Sequence, residues 1–321
     1  MNDLVLTKPV QLPTVARRER MQQQARASKA ERTWAAYGSD WRVWETWAAA
    51  NEATVLPADP ARVAEFLSDM TAMRRLSTVR RYLASISVTH TLKGDRFERK
   101  HPAIKTILRG AARGAALPRR VRPLLAKQVR ALLNDMGDSA VDQRDAALLA
   151  IGVASGCRRS ELSGLDWARR GAGAGVLELT AEGATITLFV SKTSQAGDQA
   201  ESIYIQPGLA LKALKRWIEV GGIAEATPVF RAITKGGRVG QGRLSSGSIA
   251  RIVKARCAKA GLEPSEFSGH SLRAGMVTSA AEAGVPEWRI KLHSRHKSDI
   301  VRQYIRPVEK RRHSPTGEIG L

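Results

Sequence analysis

The sequence predicts a mainly α protein of two domains: an all-helical N-terminal domain, and an α+β domain with a small antiparallel sheet. Three observations carry this prediction. A length of 321 residues exceeds the usual size of one domain. Between residues 28 and 114 apolar side chains recur at steps of three and four, the spacing of a helix face. Between 176 and 205 the period drops to two, the spacing of a half-buried strand, before helical spacing resumes.

Residues 1–27 hold Pro9, Pro13 and the run Gln22, Gln23, Gln24 with little sustained apolar period, and read as a flexible arm or a marginal first helix. Trp34, Tyr37, Trp41, Trp44 and Ala48 then form an aromatic stripe along one helix. Pro57 and Pro60 punctuate the chain before a second helix with Val63, Phe66, Leu67 and Met70 on one face; a third runs through Val79, Leu83, Ile86 and Val88, and a fourth follows Pro102 through Ile104, Ile107 and Leu108. These helices make up a domain over 28–114. Pro118, Arg119, Arg120 and Arg122 mark 115–123 as a basic linker to a domain over 124–321. That domain opens with helices over 126–135 and about 142–157. Alternation at Leu177 and Leu179, at Ala184, Ile186, Leu188 and Val190, and at Ile203 and Ile205 predicts antiparallel strands with turns near Gly183 and across 194–198. Helices resume from about Leu209, interrupted by a Gly/Arg-rich loop over 231–244. The Gly-Ala-Gly-Ala-Gly run at 171–175 lacks the Lys-Ser/Thr of a phosphate-binding loop and reads as a mobile turn.

Charge narrows the partner. The formal net charge is +22 while 43% of residues are hydrophobic, too many for a disordered polycation. Basic residues exceed acidic ones on both sides of the linker, so each domain is expected to face a polyanion, most plainly a nucleic-acid backbone. Cys157 and Cys257 match no metal-ligand spacing and read as buried thiols of a reducing compartment, so no metal site is expected. No apolar stretch is long enough for a membrane span, and the N-terminal segment lacks the apolar block of a secretion signal. The expectation is a cytoplasmic, bacterial protein with no membrane partner.

Three segments bear reactive side chains. Ser155-Gly156-Cys157-Arg158-Arg159-Ser160-Glu161-Leu162 breaks an apolar helix at Gly156 and starts another, bringing Arg158 and Glu161 together at i, i+3. Ser268-Gly269-His270-Ser271-Leu272-Arg273 sets His270 and Arg273 on one helical face. Near the C-terminus runs Arg295-His296-Lys297-Ser298-Asp299-Ile300-Val301-Arg302-Gln303-Tyr304-Ile305-Arg306. Taken singly, these are an ion pair, a helix histidine and a core aromatic. In this order, with Lys192 on a strand hairpin between the first and second, they resemble the tyrosine recombinase (phage integrase) family, and the tryptophan-bearing helical domain is similar to its Cre-like branch.

The resemblance implies a helical core-binding domain of the SAM-like type and an α+β catalytic domain. It implies a site-specific recombinase that cuts and rejoins DNA through a 3′-phosphotyrosine and a Holliday junction, with no metal, ATP or other cofactor. Breaking a phosphodiester without metal needs a nucleophile, cationic donors for the phosphoryl oxygens and a proton source for the leaving oxygen. Tyr304 would attack, and its phenol, with a free pKa of about 10, needs its proton taken. Arg158 and Arg273 would present planar forks to the non-bridging oxygens. His270 would bind the phosphate and accept the tyrosine proton, Lys192 would protonate the departing 5′-hydroxyl, and Glu161 would orient His270 or Arg158. The family's second histidine is matched by His296, eight residues before Tyr304, whereas the usual spacing of nine falls on Arg295, and His293 is a further candidate. Arg159 competes with Arg158 for the first arginine position.

The resemblance also implies two domains clamping duplex DNA. The helix entered at Ser77 and Thr78 would lie in the major groove with Arg81 on base edges, for which arginine is the commonest reader of guanine. Arg80, Lys105, Arg109 and Arg113 would touch phosphates. In the second domain, Ser246 or Ser248 would cap a helix that carries Arg251 and Lys254 to the groove, and the loop residues Arg231, Lys235, Arg238 and Arg243 would contact the backbone. The partners implied are DNA with an inverted-repeat recombination site and a homotetramer on two such sites, coupled by a C-terminal tail from Ile305 that ends in apolar Ile319 and Leu321. A type IB topoisomerase uses a related residue set, but generally with Lys where this chain has His270. A metal-dependent transposase would need clustered carboxylates, and no such triad is evident.

Overall fold

The computed structural model describes Gln24 and residues 29–115, 121–189, 200–296 and 298–318. The expected arm apart from Gln24, most of the linker, Val190, the turn across 194–198, Lys192 and the terminal Ile319 and Leu321 lie outside these residues. The chain divides into two compact units, Met1–Pro118 and Arg119–Leu321.

From Glu31 onward, the described residues of unit 1 form the helices α1 (Glu31–Ala50), α2 (Pro60–Met73), α3 (Leu76–Lys93) and α4 (Pro102–Gly114). Pro60 stands in the first turn of α2, where its missing N–H costs nothing, and the Asp59 carboxylate accepts from the Ala61 N–H at 3.0 Å. Gly94 ends α3 in the left-handed conformation that a helix stop favours. The aromatic stripe of α1 is core: Trp44 is fully buried, meets Phe66 edge-on with 5.3 Å between ring centroids, and donates its indole N–H to the Val55 carbonyl at 3.1 Å. Full burial of each such side chain stabilises by about 1.5–3 kcal/mol. Phe66, Leu67, Val79, Leu83, Ile86 and Ile104 complete this core, while Val88 stands off its face.

Unit 2 follows the order α5 (Ala126–Asn134), α6 (Ala140–Ser155), α7 (Arg159–Ser163), β1 (Leu165–Trp167), β2 (Gly175–Thr180), β3 (Gly183–Leu188), β4 (Glu201–Ile205), α8 (Leu209–Val220), β5 (Arg231–Ile233), β6 (Val239–Arg243), α9 (Ser246–Lys259), α10 (Ser271–Glu282), α11 (Glu287–Ser294) and α12 (Arg302–Arg312). The main sheet has the order β1-β2-β3-β4. Its last three strands are antiparallel as the alternation predicts, but β1, absent from the sequence reading, joins β2 in parallel. The 171–175 run makes that short return possible and is clamped rather than mobile. Asp166 Oδ2 accepts the N–H groups of Gly171 (2.9 Å) and Gly173 (2.6 Å), and a Cβ at Gly173 would stand 2.3 Å from the Gly164 carbonyl oxygen.

The expected loop over 231–244 is a second sheet, with Arg231 opposite Arg243 and Ile233 opposite Val239. This corrects two expected phosphate contacts, because both arginines point inward. Arg231 is buried and donates to Gln241 Oε1 (2.8 Å) and the Pro228 carbonyl (3.2 Å). Arg243 donates to the carbonyls of Ser163 and Leu165, each at 3.0 Å, and pairs with buried Asp166. Lys235 and Arg238, at the hairpin tip, are exposed. Neither Ser246 nor Ser248 caps α9: Ser245 does, its Oγ accepting from the Ser248 N–H at 3.0 Å. Arg256 locks α9 to α6, held between Asp142 (2.6 Å) and Asp145 (2.7 Å).

Leu148, Leu149, Ile151, Ile186, Trp217, Phe230, Val253 and Leu272 fill the core of unit 2. The segment read as a tail from Ile305 belongs to this core as far as Val308, since both residues are buried on α12. Arg312 extends the docking, donating to the Glu282 carbonyl at 2.9 Å. Among the described residues, no helix is long and apolar enough to cross a membrane.

Helix α10 passes so close to the chain entering α5 that a Cβ at Gly275 would stand 1.9 Å from the Leu124 carbonyl oxygen. Gly275→Ala is therefore expected to destabilise unit 2 by about 1–3 kcal/mol, the usual cost of overpacking. A lower urea midpoint with unchanged slope is the measurement that checks it.

Candidate active site

The apolar helix α6 ends at Gly156 with φ +60°, and a Cβ there would stand 2.6 Å from Met276 Cε. The left-handed turn aims the Gly156 carbonyl at α10, where it accepts from Arg273 Nη1 at 2.7 Å. Arg273 is 2% exposed, its Nη2 is buried without a hydrogen-bond partner, and no described carboxylate lies within ion-pair distance of it. Burial, followed by the nearby Arg158 charge, lowers its pKa to about 10, which still leaves it protonated at neutral pH.

Arg158 precedes α7, and Glu161 closes back on it: Oε2 accepts the Arg158 backbone N–H at 2.7 Å and Oε1 accepts Nη1 at 2.6 Å. Glu161 is 5% exposed. Burial alone would raise its pKa, but the Arg295 charge and the Arg158 hydrogen bonds outweigh that and hold it below the ordinary carboxylate range. Glu161 thus holds Arg158, one of the two alternatives left by the sequence, and has no hydrogen bond to His270. Arg159 is exposed, its Cβ and Cδ within 3.1 Å of where a Cβ on Gly269 would be.

His270 sits immediately before α10, and its Nε2 lies 3.2 Å from Tyr304 Oη on α12. Burial and the positive charges of Arg273, Arg158 and Arg159 lower its pKa, favouring the neutral ring. His296 lies on the other side of Arg273, with Arg273 Nε 3.4 Å from its Nε2 and Ser294 Oγ 2.6 Å from its Nδ1. Because Nε2 faces an arginine donor, the hydrogen-bond network assigns the ring proton to Nδ1. Burial, then the arginine charges, push its pKa down to about 3. The two alternatives to His296 are engaged elsewhere: His293 Nε2 lies 2.8 Å from the Ala154 carbonyl, and Arg295 is buried between Glu161 (2.7 Å) and Glu201 (3.2 Å).

The structure therefore gathers Arg158, Glu161, His270, Arg273, His296 and Tyr304, from three separate stretches of unit 2, around one anion-seeking centre. Sequence reasoning missed the Gly156 carbonyl, Ser294 and the buried role of Arg295, which no local motif announces. Cys157, beside this centre, is fully buried; burial and the Glu161 charge raise its thiol to about 11, so it stays neutral. Among the described residues no group of three His, Cys, Asp or Glu is placed to hold a metal ion.

In unit 1, Ser77, Arg80 and Arg81 are exposed at the start of α3, with Thr78 half-buried beside them. Arg81 is not a free base reader: Nε and Nη2 donate to the buried Asp40 carboxylate at 2.6 and 2.9 Å. Lys105, Arg109 and Arg113 form an exposed stripe on α4, and Arg251 and Lys254 are exposed on α9.

A buried arginine with an open donor, a second arginine on a carboxylate, and a histidine beside a tyrosine hydroxyl make a site suited to an anion. The sequence profile of the phage integrase family matches residues 122–311. An integrase/recombinase XerD homolog of Selenomonas ruminantium is 33% identical over 292 residues, covering 87% of this chain and 82% of that protein. The chain belongs to the phage integrase family, and it is a site-specific recombinase of the tyrosine type. Solved structures share the fold. XerH recombinase bound to a palindromic difH substrate has a TM-score of 0.59 at 20% identity over 83% of this chain and 74% of that one. The Tn1549 transposon integrase in complex with transposon right-end DNA has a TM-score of 0.58 at 18% identity over 94% and 100%. A lambda integrase dimer bound to a core site has a TM-score of 0.56 at 15% identity over 90% and 75%.

The depressed His296 pKa has a definite sign in stability. Below about 6.5, the ordinary histidine value, the unfolded chain takes up a proton that the folded site refuses until about 3. The contribution of His296 is complete above that upper limit and is lost as pH falls towards the lower one. The urea midpoint is expected to drop between pH 7 and pH 5, with a shallower drop in His296→Asn, and the His296 ring protons should show no NMR titration between pH 5 and 8.

Proposed function

We propose that Tyr304 Oη attacks the scissile phosphorus of duplex DNA, forming a 3′-phosphotyrosine as the bond to the 5′-oxygen breaks. The phenolic proton passes to His270 Nε2, and Lys192 protonates the departing 5′-oxygen. Arg158 and Arg273 hold the non-bridging oxygens as charge builds on them, a role for which a planar fork suits and a lysine does not. His296, neutral, accepts from Arg273 Nε and keeps that fork turned. The 5′-hydroxyl of a second duplex then attacks the phosphotyrosine. The bond energy is conserved in that ester, so the reaction needs no ATP, and repetition on the other strand resolves a Holliday junction.

The observation that carries this reading is the pairing of His270 Nε2 with Tyr304 Oη at 3.2 Å next to Arg273, whose buried Nη2 lacks a partner. A buried donor left open is costly unless an incoming acceptor completes it, and a phosphoryl oxygen is such an acceptor. Each domain, 28–114 and 124–321 with the basic 115–123 linker between them, brings its own basic surface to DNA. Arg80, Lys105, Arg109, Arg113, Lys235 and Arg238 serve phosphates; Ser77, Thr78 and Arg81 on α3, and Ser248, Arg251 and Lys254 on α9, serve the groove. Ser246 contributes through the first turn of α9.

Exchange of two duplexes takes four cuts, so the active form is four copies on two inverted-repeat sites. A groove of α11 and β4 with exposed Tyr204, Trp288 and Leu292 offers an apolar seat for the C-terminal segment of a neighbouring copy. A bacterial relative and a DNA substrate favour the cytoplasm as the place of action.

Tyr304→Phe is expected to bind a target site with near-native affinity and to form no denaturant-resistant protein–DNA adduct; an adduct in that variant would refute the nucleophile. Arg158→Lys and Arg273→Lys keep the charge and lose the fork, so adduct formation should fall by about 100-fold or more while binding weakens only slightly. Trp288→Ser should leave half-site binding intact and reduce the yield of paired-site complexes on native gels.

A further inference from the structure

We propose that Arg295 is a positioning residue for cleavage, which fixes the Arg158 fork through Glu161 and leaves Arg158's positive charge free for the scissile phosphate. This rests on the reading of Arg158 as a phosphate clamp.

Glu161 is buried, and both of its oxygens are committed: Oε1 to Arg158 Nη1, Oε2 to the Arg158 backbone N–H and to Arg295 Nη2 at 2.7 Å. Were Arg158 its only cation, the pair would be neutral, and the phosphate would have to compete with a buried carboxylate for the guanidinium. Arg295 supplies the second positive charge. With Glu201 counted, the four groups balance in charge, but Glu161 is shared between two guanidiniums, and the more deeply buried contact to Arg295 takes a share of Glu161 that would otherwise fall on Arg158.

The geometry restricts this role to arginine. Nη2 reaches Glu161 on α7 while Nη1 reaches Glu201, the first residue of β4, at 3.2 Å, so one planar fork spans two elements. A lysine ammonium cannot match that fork. The backbone of Arg295 is left-handed, φ +57°, where glycine would be at ease and other side chains are rare. The chain holds an unfavourable conformation at the position from which this side chain meets both carboxylates.

That conformation separates two explanations. If residue 295 only turns the chain between α11 and the Tyr304 helix, glycine serves at least as well. If the fork matters, both Arg295→Gly and Arg295→Lys lose cleavage. The experiment is single-turnover adduct formation at saturating DNA, on a target site selected from a random pool, at a temperature below the melting transition of every variant. Both variants are expected to cleave about 10–100-fold more slowly than the native chain, with the dissociation constant for the site unchanged within about twofold. A second substrate carries an uncharged methylphosphonate at the scissile position, which removes the charge that Arg158 would neutralise. On it the deficit of Arg295→Lys should shrink towards none, which a general loss of structure would not produce.

Native cleavage rates in both variants would overturn the proposal, as would an equal deficit on the two substrates. Arg158→Lys, run alongside, tests the underlying reading separately. Lost cleavage there with full cleavage in the Arg295 variants overturns the role of Arg295 alone. Full cleavage in Arg158→Lys overturns the clamp, and the role of Arg295 with it.

Discussion

The site is organised around a buried guanidinium that has a carbonyl for a neighbour where a carboxylate would be cheaper. Arg273 is almost inaccessible, and a cation so placed must be compensated by hydrogen bonds or by a counter-ion. Its compensation among the described residues is partial: the Gly156 carbonyl on one nitrogen, the His296 ring at long range on another, and nothing on the third. Much of unit 2 maintains that state. The left-handed glycine aims the carbonyl, the apolar face of α6 carries the glycine, and the close crossing of α10 at Leu124 fixes the level of Arg273. The neutral Cys157 thiol adds no charge of its own.

The same concentration of positive charge decides the state of both histidines. Burial, then the charges of Arg273 and Arg158, joined by Arg159 at His270 and by Arg295 at His296, drive each imidazole towards its neutral form. One of them faces a phenol and the other an arginine N–H, so each presents a lone pair at the place where an acceptor is wanted. The arginines thus act twice, as donors towards an anion and as the field that keeps the histidines basic in position though weakly basic in solution terms.

The helices were legible in the sequence because their signals are local. Trp41, Trp44 and Ala48 on α1, and Val79, Leu83 and Ile86 on α3, recur at steps of three and four, and Pro60, Pro102 and Gly94 mark starts and a stop through their own backbone preferences. Order and spacing singled out the residue types that the structure brings together around Arg273. What escaped depends on partners distant in sequence. Strand β1 is three residues long and exists because Asp166 ties down two glycine amides and draws in Arg243 from β6. Arg231 and Arg243 look like solvent-facing charges by composition, yet the register of their hairpin turns both inward. Spacing alone left His293, Arg295 and His296 in competition, and only the folded chain gives them three different sets of neighbours: the Ala154 carbonyl for His293, Glu161 and Glu201 for Arg295, and Arg273 for His296.

Arg81 in unit 1 is already constrained before any other molecule arrives. Asp40 grips it from the side, through Nε and one hydrogen of Nη2, with the carboxylate itself buried. The remaining N–H bonds at the tip, on Nη1 and Nη2, then point in one direction instead of sweeping through the rotamers of a free arginine. A side chain held in this way has surrendered its conformational freedom during folding, so little is left to lose on contact. It is also unforgiving: a flexible arginine bends to reach whichever acceptor is near, whereas a splinted one rewards only an acceptor pair of matching spacing and angle. The ion pair between α1 and α3 thereby converts a sticky charge into a gauge.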